Sequence, residues 1–140
     1  FGCLGVPGMA KERVGEFRQS TDRLTGQPLG FENVVILFVE HTARRPTIID
    51  LNMEPGTKGR AIVLRNGRLY DDLYWSTMSE SYERTTGLAR PIRLRYADGT
   101  PFPLMPGDTW FHVATTYSAV WQTGGEDVWK FRFYPPAGAK

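Results

Sequence analysis

The chain has 140 residues, of which 41% are hydrophobic and 23% charged, and a net charge of +2. This is the size and polarity of one globular domain that can bury a core without disulfide staples, and it argues against disorder. The Lys and Arg residues are scattered singly among carboxylates, so no phosphate-binding stripe is expected and nucleic acid is excluded as a partner.

Residues 1–21 are rich in glycine and charge and show no sustained period. They read as a connecting arm from a missing upstream domain, within which Val14–Arg18 is expected to pair as an edge strand. The opening Phe1-Gly2-Cys3 is like the end of a lipoprotein cleavage signal, and without an initial Met the chain reads as a fragment or processed product. Cys3 is the single cysteine, so neither an internal disulfide nor a thiolate cluster is available.

A β domain is expected over residues 22–134. Asp22-Arg23-Leu24-Thr25-Gly26-Gln27-Pro28 is a turn, and Asn33–Glu40 is the clearest buried strand. Its apolar run, Val34 to Val39, is far shorter than the roughly 20 residues of a membrane span. Thr47–Met53 alternates in polarity. Arg60–Arg65 and Arg68–Ser76 flank Asn66-Gly67, the strongest short hairpin signal, because a type I′ turn needs positive φ at both central residues. Thr77–Arg90 lacks a strand period and suits a helical turn or a long loop. Ile92–Tyr96 alternates, Asp98-Gly99 turns the chain, and Pro101 and Pro103 confine the return arm to an edge or an extended loop. Thr109–Thr116 and the stretch around Trp129, Phe131 and Phe133 complete the strands. Residues 135–140 read as a loose tail.

The fold expected is all-β: an antiparallel sheet folded into a small barrel or sandwich of six to eight strands with little helix. The core is expected to hold Val34, Ile36, Phe38, Ile62, Leu64, Leu94, Val113, Phe131 and Phe133.

Four elements recur in a recognisable order between Asp22 and Val113. They are the D-x-x-T-G turn at Asp22 ahead of the Asn33-Val34 strand, the G-x-A-x-V-x-x-N-G hairpin from Gly59 to Gly67, the lone Trp75 on the return strand, and L-x-P-G-x-T-W from Leu104 to Trp110. The set resembles the C-terminal part of the YerB-like lipoprotein family of bacteria, whose N-terminal and C-terminal domains are both of unknown function. Met78–Pro91 is longer than the family spacing, and Thr115–Lys140 runs past the pattern. The resemblance implies an exported protein, anchored to the membrane through a lipidated N-terminus outside this chain. It implies no reaction and no cofactor.

Candidate chemistry is sparse. His41 and His112, with Asp50 or Asp108, match no metal-ligand spacing, so no metal site is expected. Ser76, Ser79 and Ser81 sit in no nucleophile motif, and Gly56–Gly59 lacks the spacing of a phosphate loop. Asp71-Asp72 beside Tyr74 and Trp75 has the ingredients of a glycosidase pair, but neighbouring strand residues point to opposite faces and a solvated turn is the plainer reading. The aromatic residues are the better lead: Tyr74, Trp75, Trp110 and Trp121, together with Tyr82, Tyr117, Trp129 and Tyr134, exceed what a core of this size needs, although strand aromatics commonly serve packing. Two functions follow. One is a non-catalytic extracytoplasmic binding or structural module whose partners are its own N-terminal domain, an envelope protein or cell-wall glycan. The alternative is a hydrolase of an envelope polymer using Glu40, His41, Asp71 and Asp72.

Overall fold

The structure, a computed structural model, describes residues 20–77, 80–87, 92–122 and 129–139. Its strands are β1 (Asn33–Val39), β2 (His41–Arg45), β3 (Ile48–Leu51), β4 (Lys58–Arg65), β5 (Arg68–Ser76), β6 (Arg93–Tyr96), β7 (Thr109–Thr115), β8 (Ala119–Gln122) and β9 (Trp129–Arg132). One short helix, α1 (Glu80–Thr86), lies in the stretch without strand period. The chain divides into two compact units, Phe1–Gly30 with Ser118–Phe133 and Phe31–Tyr117 with Tyr134–Lys140.

The larger unit is built on a five-stranded sheet in the order β6-β5-β4-β1-β7. β1 lies between β4, to which it is antiparallel, and β7, to which it is parallel. A strand covered on both faces needs an unbroken apolar run, which is what Val34–Val39 supplies. β4 and β5 form the hairpin read from Asn66-Gly67, and both turn residues have positive φ, 47° and 71°. The Asp98-Gly99 turn returns the chain through a single bridge between Arg95 and Pro101, as two prolines in that arm require. β2 and β3 form a separate two-stranded ribbon that carries an Arg44–Asp50 ion pair.

The fold is therefore all-β with little helix, as expected, but it has nine strands among the described residues and its main sheet is mixed and open rather than closed into a barrel.

One buried apolar cluster lies on one face of this sheet. Val35, Leu37 and Val39 of β1 pack with Ala61, Val63, Leu73, Trp75, Leu94 and Phe102. The expected core set named the opposite face of β1. Ile36, Phe38 and Ile62 on that face are indeed buried, as is Leu94, but Val34, Leu64 and Val113 are only half-buried. Phe131 and Phe133 are also half-buried; β9 has one strand neighbour, β8, in a two-stranded ribbon of the smaller unit. Each fully buried aliphatic or aromatic side chain contributes about 1.5–3 kcal/mol. Both faces of β1 thus contribute, and every one of its residues is buried or half-buried.

Residues after β9 are tethered. The Thr115 hydroxyl donates to the Tyr134 carbonyl at 2.7 Å, the Tyr117 hydroxyl donates to that of Pro135 at 3.0 Å, and Pro136 is buried.

Candidate functional site

Most residues of the four motif elements, Trp110 apart, serve as scaffold. In the smaller unit the Asp22 carboxylate accepts hydrogen bonds from the Leu24 and Thr25 amides at 2.9 and 2.7 Å and from the Thr25 hydroxyl at 3.0 Å, and Gly26 closes the turn at φ 71°. Those bonds, the Thr25 amide first, hold the Asp22 carboxyl below its ordinary pKa.

In the larger unit Asn33 is fully buried at the start of β1. Its Nδ2 donates to the Met105 carbonyl at 2.8 Å and to Thr109 Oγ1 at 3.1 Å, while its Oδ1 accepts from the Met105 amide at 2.8 Å. Beside it, Asp108 N–H donates to the Glu32 carboxylate at 2.7 Å. Gly107 lies so close that an added Cβ would stand 2.6 Å from the Glu32 Cδ. The Asn-Val and L-x-P-G-x-T-W motifs are thus two halves of one clamp that starts β1 and β7 in register.

Gly59 and Trp75 form a second lock. They are cross-strand partners, and the Trp75 indole lies over the bare glycine and donates from Nε1 to the Phe38 carbonyl at 2.9 Å. A Cβ on Gly59 would be 2.5 Å from that carbonyl and 2.6 Å from the indole nitrogen.

The aromatic candidates separate by burial. Trp75 is 1% exposed and packs in the core, so it offers no stacking face to a ligand. Tyr74 is half-buried opposite Arg60. Trp110 is 40% exposed and packs against Phe31, with ring centroids 5.1 Å apart. Trp121, on β8 of the smaller unit, is 42% exposed and faces Lys130 across the ribbon. The side chain of Tyr82, together with Cys3, Val14–Arg18 and Ser79, lies outside the described residues.

The proposed acid–base residues do not converge. Asp71 and Asp72 stand opposite the single residue Ile62, forming a β-bulge in the middle of β5 rather than a turn, and both are exposed. Ile62 pairs with Ile36, four residues before Glu40, which puts the two acidic positions about 13 Å apart along the strand direction alone. The Glu40 carboxylate accepts from Asn52 Nδ2 at 3.2 Å, and His41 Nδ1 is 2.8 Å from the Val39 carbonyl. His112 lies mid-strand on β7, where burial pushes its pKa below the ordinary imidazole value. Among the described residues no three His, Cys, Asp or Glu side chains gather as metal ligands.

Two concavities mark the larger unit. An open groove of about 510 Å³ runs past Glu40, Asn52, Lys58 and Arg60 above the Gly59–Trp75 lock, with the Arg60 guanidinium 4.8 Å from the Phe38 ring centre. A second cleft of about 500 Å³ lies between β6, the 101–104 strap and Phe111. Neither was visible in the sequence: the groove draws on segments from Phe38 to Thr116, and the cleft, though its lining falls between Ile92 and Phe111, exists only because the strap folds back beside β6.

A family model described as "Protein of unknown function (DUF3048) C-terminal domain" matches residues 12–111. The chain is similar to "Putative lipoprotein YerB" of Bacillus subtilis (strain 168), with 26% identity over 114 residues, covering 78% of this chain and 29% of that protein. It therefore spans less than a third of that relative's length. It is also similar to the crystal structure of YerB protein from Bacillus subtilis, with a TM-score of 0.52 and 23% identity, over 68% of this chain and 28% of that one. At that identity the likeness is one of fold. No helix among the described residues is long and apolar enough to cross a membrane.

Proposed function

The chain belongs to the family of the DUF3048 C-terminal domain, and from that premise we propose that it is a non-catalytic binding or structural module of an exported lipoprotein. The observation that carries this reading is where the family motifs go. Asn33, Gly59, Trp75 and Gly107 are consumed in hydrogen bonds and close packing, and the Asp22 carboxylate, which lies at the surface, holds its own turn. Motif residues that hold a shape supply no chemistry of their own, which favours a module over an enzyme.

The relative's name supports an extracytoplasmic, membrane-anchored setting, and its greater length supports an N-terminal domain as the first partner. An envelope protein or cell-wall glycan is the second, met by exposed rings such as Trp110 and Trp121, which offer apolar faces to a sugar or a partner side chain. The test is a screen of the complete protein against envelope glycans and envelope proteins. Binding that weakens in Trp110→Ala or Trp121→Ala supports the module. Turnover of an envelope polymer that disappears in Glu40→Gln or Asp71→Asn would replace it with the hydrolase.

A further inference from the structure

The second cleft has a composition that the binding-module reading does not use. Of its eight lining residues, six are apolar, two are arginines, and none is acidic. Leu94 and Phe102 belong to the buried core and form its inner side. Ile92 and Leu104 are half-buried, and Phe111 is 47% exposed, an apolar surface left wet. Water in such a cleft is displaced favourably by a hydrocarbon chain. The arginines, Arg93 and Arg95, come from the same strand edge. Arg95 donates to the Gly99 carbonyl at 2.6 Å, and neither forms an ion pair with a carboxylate among the described residues. A cationic border around an apolar hollow with no carboxylate selects an apolar chain that ends in an anion.

We propose that this cleft binds a single-chain aliphatic carboxylate, with the hydrocarbon against Ile92, Leu104 and Phe111 and the carboxylate at Arg93. The volume of about 500 Å³ is in the range of small-molecule sites. The proposal deepens the binding-module reading by naming a small-ligand class, and it can fail by itself, because a glycan or protein ligand found in the screen above does not depend on this cleft.

Octanoate titrated into the isotope-labelled 140-residue chain, with 1-octanol as the uncharged control, provides the test. The expected result is a saturable set of shift changes centred on Ile92, Leu104 and Phe111, with octanol binding more weakly than octanoate. Arg93→Gln should weaken octanoate about tenfold, the size of one charge-assisted hydrogen bond, and leave octanol unchanged. Phe111→Ser, a change at a half-exposed position that the fold tolerates, should weaken both. The proposal is overturned if octanoate gives no saturable change, if octanol binds as tightly, or if Arg93→Gln binds octanoate as well as the unsubstituted chain does.

Discussion

At the scale of the residue, Gly59 shows how a single missing Cβ organises the larger unit. The Trp75 indole can reach the Phe38 carbonyl only because nothing stands between them. Alanine at position 59 would push against a backbone carbonyl and a buried ring, neither of which is the free end of a flexible chain. Overpacking of this kind costs about 1–3 kcal/mol. Gly59→Ala is therefore expected to lower the urea midpoint, and Trp75→Phe, which keeps a ring but abandons the Phe38 carbonyl, should cost about 1–3 kcal/mol as well. Equilibrium unfolding checks both, and a Gly59→Ala chain as stable as its parent would remove the lock. His112 gives a second prediction at this scale. Burial lowers its folded pKa below 6.5, so the unfolded chain takes up a proton first as pH falls. The stability linked to this group is complete above about pH 6.5 and is lost as pH drops through the lower, folded value. The urea midpoint should fall on acidification from pH 7.5 to 5, and less so in His112→Gln. An identical fall in that variant would assign the effect elsewhere.

At the scale of the element, what was legible is what local chemistry decides. Asn66-Gly67 needs positive φ, so the β4–β5 hairpin could be placed from two letters. The apolar run of β1 marked a buried strand. Choosing one of its faces as the core overlooked that a run without alternation is buried on both. β2 carries no strand signal because His41–Arg45 is polar and mostly exposed, a ribbon partner for β3 rather than a core strand. Asp71-Asp72 suggests a turn by sequence, since two adjacent acids look the same in a turn or a bulge and only the cross-strand register distinguishes them. The parallel pairing of β1 with β7 joins Asn33 to Thr109, and no local signal records such a distant partner. For the same reason the aromatic and acidic candidates could be named but not assembled: Trp75 went to the core, the carboxylates stayed apart, and the arginine-bordered cleft had no motif to announce it.

At the scale of the whole molecule, the larger unit must close a long loop before β7 can join the sheet, because β1, its neighbour in the sheet, is separated from it by β2 to β6 in the chain. Loop closure opposes that pairing, and the parallel ladder repays it only once register is set. The clamp around Asn33 sets the register. Three side-chain hydrogen bonds from one buried amide, with Glu32 on the Asp108 amide, fix the strap at 105–109 to the start of β1. Asn33→Ala would leave the part-buried Met105 amide and carbonyl without these partners, and each lost hydrogen bond costs about 0.5–1.5 kcal/mol. The β4–β5 hairpin, by contrast, is held by its own turn and by a neighbour on each side, so the loss should be local. Hydrogen exchange of the Asn33→Ala chain is therefore expected to speed at Met105, Asp108 and the first amides of β7, with Ile62 and Val63 keeping their protection. Uniform acceleration across β4 and β5 would mean that the clamp acts on global stability alone, and unchanged exchange at Met105 would mean that the strap is held by its apolar contacts and that Asn33 sets nothing.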